Sequence, residues 1–294
     1  MGNQTFWVDL LGAEVRYYDA KGIRTRALEG GSGEPLIMLH GSGGHAEAYA
    51  RNVVPLSEHF HVYAIDMAGH GFSDRHPSLS GAAGIADQVI RFMDALGIES
   101  ANLAGESLGG AVSAKLALEQ PQRVKKVVYI TGAGLVMGEE ADRLAAPGRE
   151  AFQRLSAAAS ATPTRETVRD RLAWLFADPD KSITDELTEV RYRIYARRAA
   201  EGSVASPGAV AGGGGGGGAG GVGVSLTPEK LREIKAPFFF LWTDHNPSTP
   251  WQVAEMAHKQ MPGSRFHVIK HAGHWPQYEQ TEEFNRLVID FLKS

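Results

Sequence analysis

The sequence predicts an α/β fold: a mostly parallel eight-stranded sheet with helices on both faces and an inserted helical lid. Three observations predict it. Short runs of branched and aromatic residues recur without polar alternation, as a sheet covered on both faces requires. Segments with helical spacing of apolar residues separate those runs. One long interval, from Thr131 to about Thr227, carries helical patterns and no convincing strand.

Taken in order, residues 8–28 supply an antiparallel hairpin at one edge. Buried strands follow at 35–39, 61–65, 101–104, 127–130, 238–242 and 266–269. Between them, the stretch 85–96 repeats Ile85, Val89, Phe92, Met93 and Leu96 on one helical face, and 108–118, 251–261 and 284–292 have similar spacing. This alternation of strand and helix argues for an open sheet. Its core is expected in residues 1–134 and 228–294. The lid is expected in 135–227, with helices near 149–159, 164–176 and 184–199. Glycine fills every position from 212 to 218, so 211–223 reads as a connector with high backbone entropy and nothing to pack.

Composition removes several function classes. The 294 residues carry 30 basic and 34 acidic side chains, a net charge of -4, so no basic excess points to nucleic acid. A charged fraction of 22% is too balanced for wholesale disorder. With no cysteine, a disulfide scaffold, a thiolate zinc site, an iron-sulfur cluster and a cysteine nucleophile are excluded. The first thirty residues scatter charge among apolar positions, and nothing approaches the ~18 uninterrupted apolar residues of a membrane span. No signal peptide or membrane contact is expected, and a cytoplasmic protein is the default. His271 and His274 lie close in sequence without a third ligand pattern, so no metal is expected. His40, His70 and His245 read as loop hydrogen-bonders.

The hexapeptide Gly105-Glu106-Ser107-Leu108-Gly109-Gly110 follows a strand and opens a helix. A sharp turn there exposes a serine hydroxyl above the sheet, and Gly105 and Gly109 leave room for it. A serine hydroxyl becomes a nucleophile when an imidazole takes its proton, and the imidazole needs an acceptor to fix its tautomer. Asp244 follows the strand at 238–242, and His274 follows the strand at 266–269. The catalytic set expected is therefore Ser107, Asp244 and His274, in the chain order nucleophile, acid, base. The glycine-rich turn His40-Gly41-Ser42-Gly43-Gly44 brings a second backbone N–H to the site, so the oxyanion hole combines Leu108 with Ser42 or Gly43.

These residues resemble the α/β-hydrolase family across nearly the whole chain, including the turn Asp66-Met67-Ala68-Gly69-His70-Gly71-Phe72-Ser73-Asp74. Within it the chain looks most like the meta-cleavage product hydrolases, which cleave a carbon–carbon bond of 2-hydroxy-6-oxo-hexa-2,4-dienoates in aromatic degradation. The resemblance implies substrate contacts from Asn52 in Tyr49-Ala50-Arg51-Asn52, from Arg191 on a lid helix and from Trp275 after His274, with Gly41 in the same set. It implies a small-molecule substrate, no cofactor and a homodimer. The tail 282–291 is also family-like, through packing. Two departures stand out. Many relatives have Asn before the nucleophile, where this chain has Glu106. The family acid often lies four residues before the Pro that opens the next helix, and that position here is Asn246. Asp244, the only carboxylate of the loop, takes the acid role in this reading, with an altered loop path. A carboxylesterase or lactonase on the same triad is the alternative, favoured by Glu106. A ligand-binding module on the same fold is a third reading.

Overall fold

The computed structural model describes residues 5–201 and 223–294. Nearly all of the expected 211–223 connector therefore lies outside the described residues. One sheet holds eight strands: β1 (Glu14–Asp19), β2 (Arg24–Gly30), β3 (Pro35–Leu39), β4 (His61–Ile65), β5 (Ala101–Glu106), β6 (Val124–Ile130), β7 (Phe238–Thr243) and β8 (Arg265–Ile269). Their spatial order is β1-β2-β4-β3-β5-β6-β7-β8. β2 runs antiparallel to both its neighbours, and every pairing from β4 to β8 is parallel.

The central strands are apolar at consecutive positions because they serve two cores. Ile37, Leu39, Leu103, Val127, Tyr129, Phe240 and Trp242 enter one core, while Leu36, Met38, Ala104, Val128, Ile130, Phe239 and Leu241 enter the other. Successive strand side chains point to opposite faces, so a doubly covered strand has no polar phase. Edge strand β1, Glu-Val-Arg-Tyr-Tyr-Asp, is largely exposed.

The helices are α1 (Phe6–Asp9), α2 (Ala50–Ser57), α3 (Gly81–Ala95), α4 (Leu108–Glu119), α5 (Glu139–Ala161), α6 (Arg165–Ala173), α7 (Pro179–Ser182), α8 (Asp185–Ala200), α9 (Pro228–Glu233), α10 (Trp251–Lys259), α11 (Pro276–Glu279) and α12 (Thr281–Lys293). α3, α4 and α10 cover the first core, and α2 and α12 the second. The apolar faces of α3, α10, α2 and α12 are each spent on one layer, whereas α4 is buried at most of its positions. α5 starts ten residues before the expected 149, where Glu139, Glu140 and Asp142 occupy its first turn and complement the helix dipole. Among the described residues no helix is long and apolar enough to cross a membrane.

The inserted helices sit over the carboxyl ends of the strands. Leu175 O accepts from His274 N at 2.5 Å, Arg191 Nη1 donates to Gly43 O at 2.8 Å, and Arg197 Nη2 donates to Gly71 O at 3.1 Å. Arg198 donates to Gly69 O. The insert thus grips the loops after β3, β4 and β8. The chain passes from β3 to β4 on one side and then returns to β5 on the other, and such a reversal opens a crevice at the strand ends.

Candidate active site

Adjacent strands build the nucleophile side. β3 and β5 pair in parallel with Leu39 opposite Gly105, so His40–Gly43 and Glu106–Ser107 leave the sheet side by side. Ser107 sits at φ 52°, ψ -112°, a backbone conformation that costs a non-glycine residue about 1–3 kcal/mol and persists where its surroundings enforce it. The tightness of the turn supplies that force. A Cβ on Gly105 would collide with the Gly109 carbonyl, and one on Gly109 with the Leu39 carbonyl. Ser107 is partly exposed and makes no side-chain cap to α4. Leu108 is the first residue of α4, so its N–H has no partner within the helix and is available to an anion.

The facing loop is held from below. Met67 N donates to His40 Nε2 at 3.1 Å, which places the imidazole proton on Nδ1, and Nδ1 donates to Gly41 O at 2.8 Å. Gly44 N closes the same turn on Gly41 O at 2.9 Å. Burial, with His70 nearby, keeps the His40 pKa well below the usual histidine value, so it stays a neutral strut. Ser42 and Gly43, the alternatives for the second oxyanion donor beside Leu108, lie on this turn, and Arg191 donates to the Gly43 carbonyl from the insert.

His274 reaches the elbow from β8, three strands away from β5. Its loop is drawn back over the ends of β7 and β6 by two threonines. Thr243 Oγ1 donates to Gly273 O at 2.6 Å, and Thr131 Oγ1 to His274 O at 2.9 Å. Glu279 secures the other side: one carboxylate oxygen accepts from Gly273 N at 2.6 Å and the other from Ala177 N at 2.9 Å. Sequence reading missed all three of these side chains, because they act through backbone groups distant in the chain.

The acceptor on His274 Nδ1 differs from the expectation. Asn246 Oδ1 lies 2.8 Å away, while Asp244 forms no ion pair with His274. Asp244 Oδ1 instead meets His245 Nδ1 at 2.8 Å and accepts from Ala272 N at 3.4 Å. Against burial, His245 and the backbone of 271–272 hold its carboxyl below the usual range. The physical reason is loop path. Asn246 Nδ2 donates to Thr249 O at 2.8 Å, a carbonyl that can only accept, so Oδ1 is the atom turned to His274. The signal was the position of Asn246, four residues before Pro250.

On its other side, His274 Nε2 lies 2.9 Å from Glu106 Oε1. Neither carboxylate oxygen has a hydrogen-bond partner among the described residues. Glu106 is 1% exposed and His274 4%. No hydrogen bond joins Ser107 to His274 in this arrangement, although Nε2 faces the residue next to the nucleophile.

The expected substrate contacts divide. Arg191 is 3% exposed; its Nε and Nη2 have no partner among the described residues, and its guanidinium lies 5.1 Å above the Trp275 ring. Trp275 is itself buried at 2%, against Phe176 and Tyr278. Asn52 is buried; its Nδ2 donates to Gln277 O at 3.0 Å and Asn285 Oδ1 at 2.9 Å, which ties α2 to α11 and α12, while its Oδ1 has no partner among the described residues. Gly41 is also placed by a different need, since a Cβ there would fall 2.5 Å from Glu106 Oε2. Arg171, unanticipated, adds a second buried guanidinium with an unpartnered Nη1. Its carbon lies 5.0 Å over Trp174, whose ring is 6.1 Å from that of His274, and burial lowers its pKa to about 10. No group of three or more His, Asp or Glu among the described residues could hold a metal.

A serine on a strained strand-to-helix turn and a buried histidine on the loop after the last strand, over an eight-stranded mostly parallel sheet, fit a hydrolase of the α/β type. The chain belongs to the α/β hydrolase fold family, whose model matches residues 34–281. It is similar to the 2-hydroxy-6-oxo-2,4-heptadienoate hydrolase of Pseudomonas putida, 31% identical over 279 residues, 93% of this chain and 94% of that protein. A dihydrolipoyllysine-residue acetyltransferase component of the acetoin cleaving system of Cupriavidus necator is 31% identical over 286 residues, 95% of this chain and 69% of that protein. Among solved structures, a meta-cleavage product hydrolase from Pseudomonas fluorescens superposes with a TM-score of 0.79 at 27% identity, covering 96% of this chain and 98% of that one.

Proposed function

We propose that the protein hydrolyses the carbon–carbon bond next to the 6-oxo group of 2-hydroxy-6-oxo-hexa-2,4-dienoates, with Ser107 as nucleophile and His274 as proton carrier. The observation that supports this substrate class is Arg191. A buried guanidinium with two unspent nitrogens suits the planar carboxylate at C1 of the dienoate. The similarity to a relative named as a heptadienoate hydrolase agrees with it.

The chemistry needs few parts. Ketonisation of the substrate's 2-hydroxydiene lets the departing carbon leave as a stabilised enolate. Ser107 Oγ adds to the 6-oxo carbon as its proton moves to His274 Nε2. The oxyanion is held by the N–H of Leu108 and by Ser42 or Gly43. The carbon–carbon bond breaks, the leaving carbon takes the proton from His274, and water then cleaves the acyl-serine with His274 as base.

The test is the visible absorbance of a dienoate mixed with purified protein. It should decay with release of the carboxylic acid from the 6-oxo carbon, and Ser107→Ala should abolish the decay. Persistence of the colour across a panel of dienoates, with rapid turnover of p-nitrophenyl esters, would replace this reading with a carboxylesterase.

A further inference from the structure

An imidazole that accepts a serine proton becomes a cation, and the amide oxygen of Asn246 can fix its tautomer without balancing that charge. We propose that Glu106 is the carboxylate partner of His274, a positioning residue that acts from the Nε2 side, beside the nucleophile. The proposal rests on the reading of Ser107 and His274 as the hydrolytic pair.

Three observations carry it. The Asn246 amide is oriented by Thr249 O, so Nδ1 bears a proton and Nε2 is the nitrogen left for base chemistry. Glu106 Oε1 is 2.9 Å from that nitrogen. Both oxygens of this 1%-exposed carboxylate lack hydrogen bonds among the described residues, and a buried charge left so is offset by cations alone, the Arg171 guanidinium that it attracts and the imidazolium when it forms. The turn facing Glu106 is shaped to admit it, because any side chain at Gly41 would strike the carboxylate. Asp244, the other candidate, is already engaged with His245 and the backbone of Ala272.

During acylation the Ser107 proton passes to Nε2, and the imidazolium so formed has Glu106 Oε1 2.9 Å away. The same proton leaves with the departing group, and the neutral ring returns. Acylation uses no other proton store.

The experiment moves the carboxylate from one side of the ring to the other. Rates are measured with p-nitrophenyl acetate and with a fluorophosphonate that labels the serine, so the outcome does not depend on the dienoate assignment. Glu106→Gln should lower the acylation rate about a hundredfold, within the range of general-base effects. Adding Asn246→Asp to that variant should recover about tenfold or more, because a carboxylate again faces the ring. Asn246→Asp alone, with Glu106 present, should gain far less than it does in the Glu106→Gln background. Glu106→Asp, which keeps the charge and withdraws it by one methylene, should fall between wild type and Glu106→Gln. Thermal unfolding of each variant establishes that it is folded.

Equal effects of Asn246→Asp in both backgrounds would overturn the proposal, as would a Glu106→Gln rate equal to wild type. So would a Asp244→Asn loss larger than that of Glu106→Gln, which would return the role to Asp244. Absence of labelling in the wild type would remove the hydrolytic pair itself, and this inference with it.

Discussion

Two buried clusters of charge differ in hydrogen-bond accounting, the first closed except for His45 Nε2 and the second left open at several atoms. Beside β2 and β4, Arg26 Nη1 reaches Glu47 at 3.2 Å and Asp66 at 3.2 Å, and Nη2 reaches Glu47 at 2.5 Å. Asp66 also accepts from Ala46 N at 2.7 Å and Phe72 N at 2.8 Å, and His45 Nδ1 meets Glu47 at 2.8 Å. Above the ends of β3 and β5, Glu106, Arg191 and Arg171 are as deeply buried, yet each keeps polar atoms without partners among the described residues. A closed cluster returns its desolvation cost to the fold. An open one holds unused bonding capacity where a ligand can enter. Burial alone therefore does not separate a structural charge from a functional one, whereas the state of the remaining donors and acceptors does.

Breaking the closed cluster should have the largest effect. Arg26→Met leaves Glu47 and Asp66 buried without their cation and should cost about 3–5 kcal/mol of stability in a denaturant titration. A loss under about 1 kcal/mol would erase the distinction drawn between the clusters. In the open cluster the effect should appear in substrate handling. Arg191→Gln should lower kcat/KM for a dienoate by about 10–100-fold, the value of one or two charge-assisted hydrogen bonds. It should lower the rate on p-nitrophenyl acetate much less, and its stability loss should be smaller than that of Arg26→Met. Equal losses on both substrates would assign Arg191 to holding the Gly43 turn rather than to the anion.

The smallest effect concerns pH. Burial lowers the His45 pKa, with Glu47 opposing, so below about pH 6.5 the unfolded chain binds a proton that the folded chain resists. His45 therefore favours folding fully above that pH, and its contribution falls as acid is added. In urea titrations from pH 7 to 5, His45→Asn should flatten the loss of stability by up to about 1.4 kcal/mol per pH unit. An unchanged slope would mean that the closed cluster takes up the proton without cost.

The parts of the site that could be read along the chain are those built from consecutive residues. The elbow at 105–110 is legible because Gly105 leaves space for the Gly109 carbonyl, a requirement written within five positions, although Gly109 itself makes room for the Leu39 carbonyl of the neighbouring strand. The His40–Gly44 turn is legible for the same reason. His274 follows a recognisable strand and a glycine. Asn52 shows the opposite case: local sequence carries no sign that its amide nitrogen joins α2 to α11 and α12, a contact across more than two hundred residues. Asp244 shows a subtler one. Its chemistry is right and its loop is right, but two residues further on the chain turns toward His274, and Asp244 is drawn to the backbone at 272.

The sequence by itself determined the layered sheet, the place of the nucleophile and the helices that cover each face, because periodicity and close glycine spacing act over a few residues. The tertiary structure decided which groups surround the imidazole: Asn246 on Nδ1, Glu106 on Nε2, and Arg191 on the facing turn. Those choices depend on strand order and loop path, which bring β3, β5, β7 and β8 to one rim from positions more than two hundred residues apart, and local spacing carries no record of distances across it.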